Sequence, residues 1–290
     1  MRIYISIDME GIPGTFNWEQ EKTNRATIQN CMFHHIQTVI ESILASPQAS
    51  LIEEITLADS HSAGDNLDYS ITALDERINL ISGCPRPRYM MPDLDPAYDQ
   101  VWFLGYHSGT GALRGNMDHT YSNSRIHNIW INGERMNEAL INAAYAGYSG
   151  VPVGLVSGDE TLKDELLLYL PWIEYIPTKK AIAKFSAKNY SQKLVDKQTK
   201  ASVLQTLTRT KEEIPLFTFE PPLSLKIEFN HSSMADQAQL MPYTKRLDGR
   251  TIEYQTDDYA ILFEAIMVLV YSYVIKGKNY GRQSGHYCQV

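Results

Sequence analysis

Short apolar runs alternate with helical patterns over the first 170 or so residues of the chain. Apolar residues at helical spacing predict helices at residues 22–44, 137–148 and 159–168. Runs rich in β-branched and aromatic residues, bounded by polar or glycine-containing loops, predict strands at residues 2–7, 54–58, 100–106, 126–131 and 151–157. Because strands that alternate with helices usually form a parallel sheet, we expect an α/β fold with a largely parallel sheet and flanking helices.

The pattern changes after about Pro171. Helical spacing predicts helices at residues 191–207 and 257–274, and strand-like segments occur at residues 179–185, 223–229 and 250–255. This mixture predicts a smaller α+β domain. We therefore expect an α/β domain at residues 1–171, an α+β C-terminal domain at residues 172–275, and a polar tail at residues 276–290.

Composition and charge exclude some classes of partner. The net charge is −8 and the pI is about 5.5, with no stretch rich in Lys and Arg. We therefore expect neither a nucleic acid nor an anionic membrane as partner. No window approaches 18 uninterrupted apolar residues, and the first apolar run is too short for a signal peptide.

The cysteines give a further indication of the compartment in which the protein resides. Cys31, Cys84 and Cys288 are scattered and form no CxxC motif. This spacing predicts neither a disulfide framework nor a cysteine zinc site, and it favours a reducing compartment. We expect a cytoplasmic protein.

Acidic and imidazole side chains follow three of the predicted strands. Asp8 and Glu10 follow the first strand, Asp59 and His61 the second, and His107 the third. The carboxyl ends of parallel strands share one edge of the sheet, where ligands bind. Imidazoles combined with carboxylates suit zinc or manganese. The sequence therefore predicts a metal site at this edge.

Each of these residues also has a structural interpretation. A lone aspartate at a strand end is usually a turn residue or helix cap, and we prefer this interpretation for Asp59. A lone histidine there is more often a hydrogen-bonded structural group. The glycine-rich stretch at residues 109–115 lacks the GxGxxG spacing, so we expect it to bend beside the site and not to bind a dinucleotide.

His119 is the candidate for proton transfer. It lies twelve residues after His107 on the same long loop, between Asp118 and Thr120. The ordinary pKa of histidine is about 6.5, so its imidazole can shuttle a proton or stabilise a developing oxyanion.

Several of these segments belong to longer motifs. They read S-I-D-M-E-G at residues 6–11, D-S-H-S at 59–62, F-L-G-Y-H at 103–107, G-N-M-D-H-T at 115–120, I-N-G-E at 131–134, N-E-A-L-I-N-A-A-Y-A-G-Y at 137–148 and V-P-V-G-L-V-S-G-D at 151–159. With these motifs the chain resembles the D-aminopeptidase family over roughly residues 1–275.

The resemblance implies a site with two zinc ions and a role for each residue in it. Asp8 would bridge the metals, with Glu10, His61, His107 and Glu138 as the other ligands, and His119 would be the catalytic histidine. Glu138 enters through the resemblance alone, because a glutamate in the first turn of a helix is usually a surface residue.

The resemblance further implies a ring-shaped homodecamer that encloses its active sites. Two features depart from the family pattern: the polar tail after about Lys276, which bears on assembly, and Arg114, which bears on substrate preference.

The function expected from sequence is a zinc-dependent aminopeptidase. It would use a metal-activated water to hydrolyse short peptides or amides that carry a free N-terminal D-amino acid similar to D-Ala. One alternative is a two-metal phosphoesterase, for which Arg114 is the obvious basic group. The other is a metal- or peptide-binding protein without turnover, although a passive site has no need of His119.

Overall fold

The computed structural model describes residues 1–271, so the tail predicted at residues 276–290 lies outside the described residues. Among the helices of residues 1–271, none combines the length and the hydropathy of a membrane-spanning segment. Of the cysteines in this part of the chain, Cys31 is a free thiol and Cys84 is disulfide-bonded. The disulfide at Cys84 departs from the sequence-based expectation, because cysteines in a reducing compartment are usually unpaired.

The helices and strands alternate along most of the chain. The α-helices are α1 (Glu19–Thr23), α2 (Arg25–Leu44), α3 (Glu138–Tyr148), α4 (Glu160–Leu167), α5 (Gln192–Leu207), α6 (Ser232–Ala238) and α7 (Tyr259–Tyr271). The strands are β1 (Arg2–Ile7), β2 (Glu54–Asp59), β3 (Ile78–Ile81), β4 (Gln100–Tyr106), β5 (Ile126–Ile131), β6 (Glu134–Arg135), β7 (Val153–Asp159), β8 (Glu174–Ala183), β9 (Ser186–Asn189), β10 (Leu223–Phe229), β11 (Lys245–Arg246) and β12 (Thr251–Thr256).

Seven strands form a largely parallel sheet in the order β3-β2-β1-β4-β7-β8-β9, and the edge strand β9 is antiparallel. Alternate residues of β1 face opposite sides of this sheet. Ile3, Ile5 and Ile7 belong to one apolar cluster with residues of α2 and α5. Tyr4 belongs to another with residues of α3 and α7. The predicted α/β fold with a largely parallel sheet and flanking helices is confirmed.

A second sheet is antiparallel, with the order β11-β12-β10-β5-β6. In β10 the apolar side chains alternate strictly, and Leu223, Leu225, Ile227 and Phe229 are buried. Both sheets contain strands from each side of residue 171, because β5 lies in the second sheet and β8 in the first. The proposed domain boundary at residue 171 stays a prediction.

Candidate metal centre

The predicted ligands are brought together at the carboxyl edge of the parallel sheet. Asp8 follows β1, His61 follows β2 and His107 follows β4, and these three strands are neighbours in the sheet. Glu10 lies in the turn after β1, and Glu138 is the first residue of α3. All five side chains are buried. Their proximity therefore follows from strand order, which the sequence does not state.

One group of candidate ligands consists of Asp8, Glu10 and His61. The Nδ1 atom of His61 lies 3.1 Å from Oδ1 of Asp8 and 3.0 Å from Oε2 of Glu10. In each candidate group, one ligand atom per residue lies within 4.8 Å of the others. The donors are oxygen and nitrogen, which suits zinc.

A second group shares Asp8 with the first. The Nε2 atom of His107 lies 3.4 Å from Oδ2 of Asp8 and 3.4 Å from Oε1 of Glu138. Asp8 therefore directs one carboxylate oxygen to each group, as a bridging ligand would.

Unpaired buried atoms indicate that this cluster of side chains fits cations. Oδ2 of Asp8, Oε2 of Glu10 and Nε2 of His107 are buried without a hydrogen-bond partner. Leaving such atoms unpaired in a protein interior is costly, so a ligand for them is expected. Burial, and then the nearby Glu10 carboxylate, raise the pKa of Asp8 to about 7. A bound divalent cation would relieve both effects.

His119 lies against both groups. Its ring stacks on that of His107, with the ring centroids 4.1 Å apart. Its Nδ1–H donates to the carbonyl oxygen of Met117 at 2.9 Å, which leaves the Nε2 lone pair free. That Nε2 lies 3.8 Å from Oε1 of Glu10 and 3.7 Å from Oε1 of Glu138.

The position of His119 allows two roles. Burial, and then the nearby His107, lower the pKa of His119, so its imidazole is neutral at neutral pH and can accept a proton. The same Nε2 could also join Glu10 and His107 as a ligand.

Hydrogen bonds from neighbouring residues orient the ligands. The Nδ1–H of His107 donates to the carbonyl oxygen of Ser108 at 2.9 Å, so its Nε2 faces Asp8 and Glu138. The main-chain N–H of Tyr121 donates to Oε1 of Glu138 at 2.6 Å. Partners of this kind fix a ligand's geometry and, for histidine, its tautomer.

Two further orienting residues, Trp18 and Glu21, were missed by sequence reasoning. Nε1 of Trp18 donates to Oε1 of Glu10 at 2.9 Å, and Oε2 of Glu21 lies 3.2 Å from Nε2 of His61. Trp18 directly precedes α1 and Glu21 lies in it, and a helix of five residues is too short to leave a periodic signal. The closeness of Trp18 to the S-I-D-M-E-G motif was the one available hint.

The turn after β1 is held from β8. The Nζ atom of the buried Lys179 donates to the carbonyl oxygens of Glu10 and Thr15, each at 2.6 Å.

Close packing between β4 and the turn after β1 requires glycine at two positions. A Cβ at Gly11 would lie 1.9 Å from the carbonyl oxygen of Tyr106, and one at Gly105 (φ +75°) would lie 2.3 Å from that of Asp8.

The other singled-out residues have structural contacts. Asp59 accepts hydrogen bonds from the main-chain N–H groups of Asn66 and Leu67, at 2.6 and 2.9 Å. It thereby shapes the loop that carries His61, in agreement with the structural interpretation preferred for it. Arg114 is exposed, with a positive φ of 58°.

The chain is similar to known proteins over most of its length. Residues 1–268 match the model of the Peptidase M55 family, described as D-aminopeptidase. The chain is 31% identical to the D-aminopeptidase of Bacillus subtilis strain 168 over 278 residues, which covers 93% of this chain and 96% of that protein.

A solved structure is similar as well. It is the Zn-dependent D-aminopeptidase DppA from Bacillus subtilis, described as a self-compartmentalizing protease. The TM-score is 0.85 at 28% sequence identity, and the match covers 93% of this chain and 96% of that one.

Proposed function

The chain belongs to the D-aminopeptidase family, and from this premise we propose that it is a zinc-dependent aminopeptidase that removes an N-terminal D-amino acid from short peptides or amides. One observation carries the proposal. Asp8 directs one carboxylate oxygen to His61 of one group of buried candidate ligands and the other to His107 of a second group. This arrangement fits a hydrolase with two metal ions.

We propose that Asp8 bridges two zinc ions. Glu10 and His61 complete one position, and His107 and Glu138 complete the other. Charge supports the number two, because three buried carboxylates carry three negative charges when ionised, more than one divalent cation offsets. Asp8→Ala is the variant that tests this assignment.

The residues around the metals have separate tasks in the reaction. Zinc held by the proposed ligands would polarise the scissile carbonyl and lower the pKa of a bound water. We propose that Nε2 of His119 accepts a proton from the attacking water and returns it to the leaving amine. The hydrogen bond from Nδ1 of His119 to Met117 holds the ring in the tautomer that this task needs.

Selectivity for a D-residue requires three fixed points around its Cα. A carbonyl held at the metals and an anchored α-ammonium fix two of them, so the side chain points one way for a D-residue and the opposite way for an L-residue. We propose that a wall on the L side excludes L-peptides by steric clash. We propose small residues such as D-Ala as substrates.

A substrate panel tests the function. We expect zinc-loaded protein to cleave D-Ala amides and dipeptides with a higher kcat/KM than the L-forms, and the metal-free protein to be inactive. Equal or faster cleavage of L-forms would defeat D-selectivity while leaving the metallopeptidase intact. Turnover of phosphate esters alone would instead indicate a phosphoesterase, and binding without turnover a passive peptide-binding protein.

We further propose a homo-oligomer, and specifically a decamer that encloses its active sites. Its support is the self-compartmentalizing description of the similar DppA structure. Light scattering should give about ten times the 33.0 kDa chain mass. A monomer would contradict the proposal. The cytoplasmic location remains a prediction, which cell fractionation tests.

A further inference from the structure

The three histidines of the site are held in two different ways. His107 and His119 each donate from Nδ1 to a main-chain carbonyl oxygen and direct Nε2 to the candidate ligands. His61 is reversed, because its Nδ1 faces Asp8 and Glu10. The partner of its outer nitrogen is a side chain, the Oε2 atom of Glu21, at 3.2 Å.

The contact with Glu21 selects the tautomer of His61. An ionised carboxylate can only accept a hydrogen bond, so the ring proton lies on Nε2 in the metal-binding form. The lone pair of Nδ1 then faces Asp8 and Glu10, where a metal would lie. Without Glu21, the proton could equally reside on Nδ1, and Nδ1 then has no lone pair for a metal between Asp8 and Glu10.

The same short segment also holds the second ligand of this group. Trp18, three residues before Glu21, donates from Nε1 to Oε1 of Glu10 at 2.9 Å. Gln20 braces the segment, because its Oε1 accepts from the main-chain N–H groups of Phe16 and Asn17, at 2.8 and 3.1 Å. The other position is supported differently, since main-chain groups of Ser108 and Tyr121 orient His107 and Glu138.

We propose that Glu21 is a positioning residue for His61, and that Glu21 together with Trp18 sets the affinity of one metal position alone. That position is the one formed by Asp8, Glu10 and His61. The inference rests on the proposed two-zinc site. It makes the two positions unequal, one fixed by the backbone and the other by side chains of a short surface helix.

Chelator titration of the zinc-loaded protein tests the inference. Glu21→Ala removes the acceptor, and we expect one ion per chain to be held about 10- to 100-fold more weakly, while the other is unchanged. Glu21→Gln should lie between Glu21→Ala and the unmodified protein, because its amide oxygen still accepts the N–H but carries no charge. Glu19→Ala is the matched control, since Glu19 lies on the same helix and pairs with the exposed Lys22.

Cobalt substitution gives a second measurement that a general loss of stability would not produce. The absorption of one bound cobalt per chain should change in Glu21→Ala and recover partly in Glu21→Gln. Circular dichroism establishes that each variant is folded, and Glu21→Gln keeps the test open if Glu21→Ala does not fold.

Three results would overturn the inference. Unchanged zinc affinity in Glu21→Ala would remove the positioning role. Equal weakening of both ions would remove the selectivity for one position. Fewer than two zinc ions in the unmodified protein would refute the two-zinc site itself, and with it the inference, so the two failures are distinguishable.

Discussion

Asp8 occupies the point at which the two groups of candidate ligands meet. Its Oδ1 lies 3.1 Å from Nδ1 of His61 and its Oδ2 lies 3.4 Å from Nε2 of His107. No other residue of the proposed ligand set belongs to both groups. Its loss therefore differs from the loss of Glu10 or Glu138, which each serve one position in this scheme.

We expect Asp8→Ala to lose both zinc ions and with them the activity, because each position is left with two ligands. Metal content by elemental analysis, on protein purified without added chelator, is the measurement. Asp65→Ala is a control, since that carboxylate is exposed and pairs with Arg25. Full zinc occupancy in Asp8→Ala would rule out the bridging role.

Replacing His119 should separate the two effects that Asp8→Ala combines, the loss of zinc and the loss of activity. His119→Ala should keep both zinc ions yet lose activity by about 10²-fold or more, which is typical of a lost proton-transfer group. Zinc content and kcat are measured on the same preparation. His34→Ala is a control, because His34 pairs with Asp196 in a contact apart from the proposed metal site. Parallel loss of zinc in His119→Ala would make His119 a ligand instead.

Site residues at strand ends were predictable, and site residues on helices were not. Asp8, His61 and His107 follow apolar strands, so their convergence could be predicted from the α/β pattern. Glu138 needed the family resemblance. Glu21 lies on the short helix α1 and contacts His61 of the loop after β2, and neither periodicity nor spacing records such a contact.

At the scale of elements, the N-terminus of α3 places Glu138 in the site. Oδ1 of Asn137 accepts from the main-chain N–H of Leu140 at 2.8 Å and so caps the helix. Its Nδ2 donates to Oε2 of Glu165 at 2.7 Å, which ties this end of the helix to α4. The position of Glu138 therefore depends on the residue before it.

Asn137→Ala should lower the free energy of unfolding by about 1 kcal/mol, the usual value of such a cap, and should weaken zinc retention as Glu138 loses its fixed position. Ser191→Ala is the matched control, because Ser191 caps α5 through Leu194 at 3.3 Å. We expect it to cost similar stability without changing zinc release. Denaturant titration and chelator titration measure the two effects, and equal zinc release in both variants would contradict the expectation.

The helices and strands themselves were predicted better than the pairing of the strands with one another. The predicted strand at residues 126–131 exists as β5, and the Asn132-Gly133 turn joins it to β6. Its place in the antiparallel sheet could not be predicted, because β5 pairs with β10, almost a hundred positions further along the chain. The predicted helix at residues 22–44 is interrupted at Asn24, where the backbone is not helical (φ −146°) although no Gly or Pro marks the break.

At the scale of the whole molecule, the proposed metal site joins segments that are distant in sequence. Its ligands come from the ends of β1, β2 and β4 and from α3, which packs on the opposite side of the sheet from α2. The fold class could be predicted because it depends on periodicity within short segments. The strand order that assembles the site depends on pairings between those segments.

Zinc should therefore stabilise the entire fold. Asp8, Glu10 and Glu138 are buried together, and without a cation their mutual repulsion and desolvation oppose folding. The unfolded chain has no such assembled site, so zinc binds mainly to the folded state. Free zinc at about 100 times its Kd then contributes about 2.7 kcal/mol per independent site.

Removal of zinc with a chelator should lower Tm, and zinc added back should restore it. Calorimetry measures this, with Asp8→Ala as the control whose Tm should not respond to zinc. An identical Tm with and without zinc would show that the site is not coupled to folding.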